Sequence, residues 1–346
     1  MSNGKSLVLL YLCIGLYSSA ALTQEIASPH KTATPRINLD VVVTPKSGPA
    51  VTGLQQQDFT ILDNKVAQPV TSFKEVAGGQ APISVILVID AVNTSYQEIA
   101  YERGELKTFL LANDGQLQYP TALAIMSDNG TQIQEGFSQD GKAMNESLEK
   151  FAVGLRSIRQ SAGVYGADER FQISLRTLRM LAAQEASRPG RKIVLWASPG
   201  WPLLSGPGIQ LDNKQQQQLF STIVDLSTQL RLANITLYAV NPLGATEGVG
   251  RTFYYQQYVK GVSKSSQTQI ADLSLQVLAT QTGGVAINST DIAGMLQQCL
   301  ADTKNYYEVS FDALPAERAD EYHHIEVHVA KPGLTARTRE GYYAQP

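Results

Sequence analysis

The chain has 346 residues, and its 28 Lys and Arg residues nearly balance its 31 Asp and Glu residues, giving a formal net charge of −3. A protein that binds nucleic acid usually carries an excess of positive charge, and this chain does not, so its charge gives no indication of nucleic-acid binding. The two cysteines are Cys13 and Cys299. Because we expect Cys13 to be removed with a signal peptide, the mature chain has no internal disulfide.

Residues 1–20 are predicted to be a cleavable secretory signal peptide. A lysine precedes the apolar run LVLLYLCIGLY, and Ser18 and Ala20 are the small residues expected before a cleavage site. The run is shorter than the roughly 20 residues that span a bilayer, so no membrane span is expected after cleavage. With residues 21–35 as a polar tether, the sequence predicts a secreted or periplasmic protein.

Residues 36–80 are predicted to contain short β-strands. The candidates are RINLDVVVT (36–44), DFTILD (58–63) and VTSFKEV (70–76), separated by Gly, Pro and Asn turn signals. These strands are too few for a stable sheet of their own. We therefore expect them to pair with strands from elsewhere in the chain.

Residues 81–303 alternate buried-type strands with amphipathic helices. The strands are ISVILVID (83–90), YPTALAIMS (119–127), RKIVLWAS (191–198) and ANITLYAVN (233–241). Apolar residues recur at helical spacing in three stripes: Met144 to Leu155, Phe171 to Ala182, and Leu219 to Leu230. This alternation predicts an α/β fold with a doubly wound, mainly parallel sheet.

Residues 304–346 are again predicted to be β-structure. The segments NYYEVSFDA (305–313), HHIEVHVA (323–330) and LTARTREGYY (334–343) have strand composition. We expect both ends of the chain to meet in one smaller antiparallel β-domain, from which the α/β domain is a long excursion.

Several of these motifs together resemble the bacterial von Willebrand factor A-related proteins of the Acidobacteria type. The resemblance runs from Ile37 to Tyr343, and the motifs that carry it are LDVVVTPKSGPAVTGLQQQDFTILDN, VILVIDAVNT, KIVLWASPGW, ITLYAVNP, LATQTGGVAI and HHIEVHVAKPGLTARTREGYY. It implies a von Willebrand A-type domain, which is usually a protein-interaction module, and it implies no catalytic activity.

The resemblance also implies a metal-ion-dependent adhesion site, which in this chain is degenerate. Asp90 and Thr94 occupy the first and last positions of the Asp-x-Ser-x-Ser motif, but Val92 replaces the middle serine. Ser198 stands where the complete motif has an aspartate, and residues 161–167 offer no threonine. An alternative register would use Asn93 or Ser95.

A divalent ion prefers several oxygen ligands, and this site offers it only one carboxylate. We therefore favour no cofactor, with weak Mg²⁺ binding by Asp90, Thr94 and Ser198 as the alternative. In the favoured reading, neighbouring N–H groups and hydroxyls hydrogen-bond Asp90.

Aromatic residues are predicted to supply a binding surface at the same edge of the sheet. Trp201 and Leu203 follow one strand, and Tyr254, Tyr255 and Tyr258 lie in a connection far longer than usual. With Asp90, Asn93 and Thr94, they form our candidate surface for a protein partner. The alternative is that the tyrosine loop folds down as a cover, and Trp196 is expected in the core.

The predicted function is that of a non-catalytic binding or adhesion-type module. Ser198 lacks the G-x-S-x-G context of a hydrolase nucleophile, and four scattered histidines suggest no base. Two alternatives remain open. One is a structural or envelope-assembly unit with a vestigial edge, and the other is divalent-ion-dependent binding through the degenerate adhesion site.

Overall fold

The structure is a computed structural model that describes residues 35–78, 82–151, 163–202, 210–242 and 254–346. The predicted signal peptide lies outside these ranges, as do residues 21–34 of the predicted tether. Residues Thr34–Pro346 cluster as one unit, and the domain boundaries predicted within it stay predictions. Among the described residues, no helix combines the length and apolar character needed to cross a bilayer.

The described strands are β1 (Arg36–Pro45), β2 (Phe59–Asp63), β3 (Val66–Gln68), β4 (Ser72–Val76), β5 (Ile83–Asp90), β6 (Gln116–Ser127), β7 (Gly130–Ile133), β8 (Ser138–Asp140), β9 (Arg191–Ala197), β10 (Ile235–Asn241), β11 (Ala286–Asn288), β12 (Tyr306–Asp312), β13 (Glu321–Val329), β14 (Leu334–Arg337) and β15 (Gly341–Ala344). The α-helices are α1 (Tyr96–Leu111), α2 (Gly141–Phe151), α3 (Gly163–Glu185), α4 (Asn213–Leu232), α5 (Leu275–Gln281) and α6 (Ile292–Ala301).

The central sheet has seven strands in the order β11-β10-β9-β5-β6-β7, with β8 also paired to β6. β5, β6, β9, β10 and β11 run parallel, whereas β7 and β8 run antiparallel to β6, so the sheet is mixed. Ile86 and Val88 pack in one cluster with α3 and α4, while Val85 and Leu87 pack in another with α1 and α6. Alternating residues of β5 therefore face opposite layers of helices, as expected for strands buried on both faces.

Both ends of the chain contribute to two four-stranded antiparallel sheets, ordered β14-β1-β12-β4 and β15-β13-β2-β3. Ile37 and Phe311 are register partners across β1 and β12, and Ile61 and Val327 are partners across β2 and β13. Their apolar faces share one core cluster. Strands from the two ends of the chain thus pair in the structure, in two sheets that share one core, while their status as a separate domain stays a prediction.

The segment 334–343, read from the sequence as one strand, is divided into β14 and β15. β14 pairs with β1, whereas β15 pairs with β13 in the other sheet. Gly341 begins β15 at a close approach, because a Cβ there would lie 2.3 Å from the carbonyl oxygen of His323. The chain therefore changes sheets between the two strands, which pattern alone did not reveal.

Candidate functional site at the carboxyl edge of the parallel sheet

The candidate site lies where the chain reverses the order of its parallel strands. β6 lies on one side of β5 and β9 on the other, so the carboxyl ends of β5 and β9 flank a topological switch point. Asp90 ends β5, and Ser198 directly follows β9. In open α/β sheets, ligands bind at this position.

Four donors from within the chain bind the Asp90 carboxylate. The backbone N–H groups of Val92 and Asn93 donate to Oδ1 at 3.1 and 2.9 Å. The Asn93 amide donates to Oδ2 at 2.8 Å, and the Trp196 indole donates to the same oxygen at 3.2 Å. Asn93 Nδ2 also donates to Ser174 Oγ on α3 at 3.0 Å. The Asp90 carboxylate therefore ties the end of β5 to β9, and the Asn93 amide ties the following loop to α3.

Burial governs the electrostatics of Asp90, which has no exposed surface. Burial raises its pKa, while hydrogen bonds from Asn93 and the neighbouring Ser198 and Trp196 side chains oppose the shift. Each of these donors favours the ionised carboxylate over the neutral acid. The network thus supplies the solvation that water would otherwise give.

A second buried carboxyl group, Glu102, lies close to this network on α1. Ser95 caps the helix, because its hydroxyl accepts from Glu98 N at 3.3 Å while the Glu98 carboxylate accepts from Ser95 N at 2.8 Å. One turn later Glu102 is fully buried, and neither of its oxygens has a hydrogen-bond partner of ordinary geometry among the described residues. Burial raises the Glu102 pKa well above its usual value, and the charges of Asp90 and Glu98 raise it further.

The arrangement does not fit a divalent ion bound directly at Asp90. Both of its oxygens already accept hydrogen bonds, and Val92 is buried with its backbone N–H turned toward the carboxylate. Ser198 Oγ accepts from Gly200 N at 3.1 Å. Coordination would have to displace several of these donors. Among the described residues there is no group of three or more His, Cys, Asp and Glu side chains suited to a metal, and metal-free function stays a prediction.

Unsatisfied oxygens nevertheless lie beside Asp90. Asn93 Oδ1 and Thr94 Oγ1 are buried without a partner among the described residues, and the Thr94 hydroxyl is near enough to lower the Glu102 pKa partly. Glu102 is a second carboxyl group near Asp90, but burial favours its neutral form, which is a poor ligand for a cation. The alternative of weak Mg²⁺ binding is therefore retained only with rearrangement of this loop.

The structure corrects the expected exposure of Trp201, which is only 4% exposed. Its ring packs edge-on against Trp196, with ring centroids 5.3 Å apart, and against Phe171 of α3. Trp196 is fully buried within β9, as expected. The Trp201 ring therefore belongs to the apolar core below the carboxyl edge of the sheet and is not exposed for a partner. Leu203 lies outside the described residues.

The tyrosines predicted for the binding surface lie in a short 3-10 helix, Tyr254–Tyr258. Tyr255 and Tyr258 are both half-buried, and the Tyr258 hydroxyl donates to Gln269 Oε1 at 3.2 Å. The side chain of Tyr254 lies outside the described part of the structure. The segment thus has features of both the contact surface and the cover that the sequence left open.

A polar pocket of about 270 Å³ adjoins this segment. Its lining residues are Gln257, Tyr258, Lys260, Gly261, Val262, Gln267, Gln269 and Asp272. Burial raises the pKa of Asp272 to about 6, and the N–H of Gln269 partly offsets the shift by donating to the carboxylate. The side-chain amides of the glutamines in this lining, which can both donate and accept hydrogen bonds, thus lie around Tyr258.

Sequence reasoning missed Glu102 and Ser174. Glu102 falls on the buried stripe of α1 with Ile99, Leu106 and Phe109, so a carboxylate among apolar residues was the available signal. No sequence signal pointed to Ser174, which lies 81 residues from its partner Asn93. Its role depends on how α3 docks against the loop.

Comparison with known proteins gives low structural likenesses only. No family profile matches the chain, and no curated protein matches it. Proximal thread matrix protein 1 from the mussel byssus aligns at TM-score 0.37 and 12% identity over 70% of this chain and 51% of its own, so the chain spans about half of that protein. The manganese-loaded TRAP protein of Plasmodium vivax aligns at TM-score 0.35 and 9% identity over 80% of this chain and 100% of its own.

A von Willebrand factor type A protein from Catenulispora acidiphila aligns at TM-score 0.36 and 9% identity, over 80% of this chain and 74% of its own. The neighbours thus include von Willebrand A proteins. TM-scores and identities this low carry no inference about function. The class that the structure itself defines is an α/β protein with a mixed central sheet and two antiparallel end sheets.

Proposed function

We propose that this protein is a non-catalytic, secreted or periplasmic binding module of von Willebrand A type. In this proposal it engages a protein partner through the carboxyl edge of its parallel sheet. The observation that carries the proposal is the saturated Asp90 carboxylate at the switch point, with four internal donors. These bonds hold the loop after β5 in one conformation without requiring a metal, and a preorganised loop loses less entropy on binding.

The same saturation argues against catalysis at this edge. A general base or nucleophile needs a free lone pair facing a substrate, whereas both Asp90 oxygens accept from the chain. The Ser198 hydroxyl accepts from Gly200 N and has no described histidine partner. These contacts support a binding role over an enzymatic one.

Half-buried tyrosines beside polar side chains supply the chemistry of a partner surface. Tyr255 and Tyr258 each expose part of a large ring, and Gln257 and Gln269 lie beside Tyr258. Interfaces are enriched in tyrosine at their centres, with polar residues at the rim. A structural role is the second candidate, and the burial of Trp201 favours it, because one predicted anchor is withdrawn from the surface.

Affinity capture from the envelope fraction of the source cells tests the proposal, with and without EDTA. We expect the wild-type chain to retain a partner equally in both conditions, and Tyr255→Ala/Tyr258→Ala to reduce capture at least about tenfold. Tyr101→Ala is the matched control, since Tyr101 is an exposed tyrosine on α1. Equal capture by all three chains would favour the structural role, and capture abolished by EDTA would favour the divalent-ion alternative.

A further inference from the structure

Three arginines gather where the amino edge of the parallel sheet meets the end sheets. Arg191 begins β9, Arg231 lies in the last turn of α4, and Arg339 lies between β14 and β15. Arg191 is 3% exposed and Arg339 is 8% exposed, while Arg231 is half-buried. Asn234 joins the first two segments, because its N–H donates to the Arg231 carbonyl oxygen at 3.0 Å and its own carbonyl oxygen accepts from Lys192 N at 2.9 Å. Arg339 is near enough for the charges of both arginines to act on it. Together these residues are called the arginine triad.

The carboxylates near the arginine triad do not balance its positive charges. Arg191 Nε contacts Asp40 Oδ2 at 3.1 Å, and Asp40 also acts on Arg339. Glu308 lies near Asp40, but its carboxylate is partly exposed and pairs with Lys74 at 3.4 Å. Arg191 Nε also donates to Thr236 Oγ1 at 3.3 Å, and its guanidinium carbon lies 4.7 Å from the Tyr306 ring centroid. The single charge of Asp40 therefore cannot balance both Arg191 and Arg339, and Asp40 is not among the groups that act on Arg231.

A neighbouring arginine shows how a buried positive charge is usually balanced, by pairing with a carboxylate. Arg337 forms an ion pair with Asp302, whose carboxylate also accepts from the Tyr238 hydroxyl at 3.2 Å. Its charge is matched within the chain, and its pKa stays raised despite burial. The triad lacks a second partner of this kind.

Some hydrogen-bond donors of the arginine triad also have no acceptor in the described part of the chain. Arg191 Nη1 and Arg231 Nε are buried without a hydrogen-bond partner among the described residues. None of the described hydrogen bonds or ion pairs within 4.0 Å involves the Arg339 side chain, whose nitrogens, unlike Arg191 Nη1 and Arg231 Nε, are not among the unpartnered atoms sealed from solvent. Burial, Arg231 and Arg191 lower its pKa to about 10, while Asp40 opposes the shift. Burying cationic donors without partners is costly.

We propose that Arg191, Arg231 and Arg339 form a buried binding site for one small oxyanion of the phosphate or sulfate class. Guanidinium groups present planar pairs of N–H donors that match the oxygens of such anions. The bound anion would supply the missing negative charge and accept from the unpaired Nη1 and Nε groups. It would join β9 and α4 to the β14–β15 connection. Arg231 is only partly buried, so the site is not sealed from solvent.

The test uses the full chain, exchanged into chloride buffer free of multivalent anions. Sodium phosphate or sulfate is then added from about 0.1 to 10 mM at constant ionic strength, a range low enough to limit general salting effects. We expect the wild-type Tm to rise saturably by about 2 °C or more. Calorimetric titration should give one anion per chain.

Arg339→Gln should lose both the Tm rise and the binding heat. In chloride alone it should be at least as stable as the wild type, because it removes one unmatched buried charge. Arg36→Gln is the control, since Arg36 is an exposed arginine of the same end sheets. Arg231→Gln, at the partly exposed position, is the second variant should Arg339→Gln fail to fold.

Ion chromatography of the denatured wild-type protein detects an anion that survives the exchange. A flat Tm response with one retained anion per chain would support the site. A flat response without a retained anion would overturn it, as would an equal rise in wild type and Arg339→Gln.

Discussion

Trp196 donates its indole N–H to Asp90 Oδ2 at 3.2 Å and thereby joins the ends of two neighbouring parallel strands. The register sets Trp196 opposite Val88, two residues before Asp90, so the long indole reaches forward along the sheet. A buried indole needs an acceptor, and a buried carboxylate needs donors. One contact meets both needs at the switch point.

Removing the Asp90 carboxylate should be strongly destabilising. We expect Asp90→Ala to lower the free energy of unfolding by about 3 kcal/mol, because several buried donors lose their acceptor. Urea unfolding followed by circular dichroism measures this loss. Asp225→Ala, which removes an exposed aspartate from the middle of α4, should stay within about 0.5 kcal/mol of the wild type. Similar losses in both variants would contradict the internal role of Asp90.

Magnesium should have little effect on thermal stability. Because the Asp90 oxygens are occupied, we expect about 5 mM Mg²⁺ to shift Tm by less than about 1 °C relative to EDTA, as follows when the ion concentration does not exceed Kd. Calcium at matched ionic strength serves as the comparison. A magnesium-specific rise of several degrees that Asp90→Ala abolishes would restore the adhesion-site reading.

Glu102 should make stability depend on pH. The pKa of Glu102 in the folded protein is raised well above the ordinary value of 4.5, so between the two pKa values the folded protein holds a proton that the unfolded chain has released. Stability contributed by the neutral acid is therefore present below about 4.5 and is lost as pH rises through the folded pKa. Glu102→Gln stays neutral throughout.

The measurement is the difference in unfolding free energy between Glu102→Gln and wild type from pH 4 to pH 9. We expect it to be near zero at the acidic end and to favour the variant at the alkaline end, by about 1.4 kcal/mol per unit of pKa shift. Glu146→Gln, at an exposed position of α2, should give a difference without this slope. A slope of the opposite sign would disprove the assignment of a neutral buried Glu102.

The end sheets contain a buried hydrogen-bonded group whose loss should be measurable. Asp63 Oδ2 accepts from the Tyr342 hydroxyl at 2.7 Å, and Asp63 Oδ1 lies 2.9 Å from His323 Nδ1. Tyr342→Phe should destabilise the protein by about 1–3 kcal/mol, since it removes a bond to a charged acceptor in the core. Tyr101→Phe removes a hydroxyl from an exposed ring and should cost less. Equal losses in denaturant unfolding would contradict this ranking.

A chain truncated after residue 303 should lose the order of its amino-terminal strands. β1 pairs with β12 and β14, and β2 pairs with β13, so the truncation leaves β1 without either neighbour. Unpaired edges and an exposed apolar face should make residues 36–76 exchange amide hydrogens quickly and become protease-sensitive. The region around β5 and β9 should stay protected. Retained protection of β1 would contradict the shared sheets.

Local patterns in the sequence determined the strands and helices that position the candidate site. The apolar run before Asp90 became the buried strand β5, and the stripe from Phe171 to Ala182 became the buried face of α3. Such patterns are readable because neighbouring residues impose the periodicity of each element on its buried face. The alternation between strands and helices likewise gave the layered α/β architecture.

Tertiary structure alone decided what each polar or aromatic side chain meets. Trp201 was expected at the surface but packs on Trp196, and Asp90 meets an indole 106 residues away. Arg191, Arg231 and Arg339 come from separate segments, and nothing in their local sequence announces that they share one interior. Periodicity predicts which face of an element is buried, whereas contacts across elements depend on how the layers dock. For that reason the unmatched charge of the arginine triad is visible only in the folded chain.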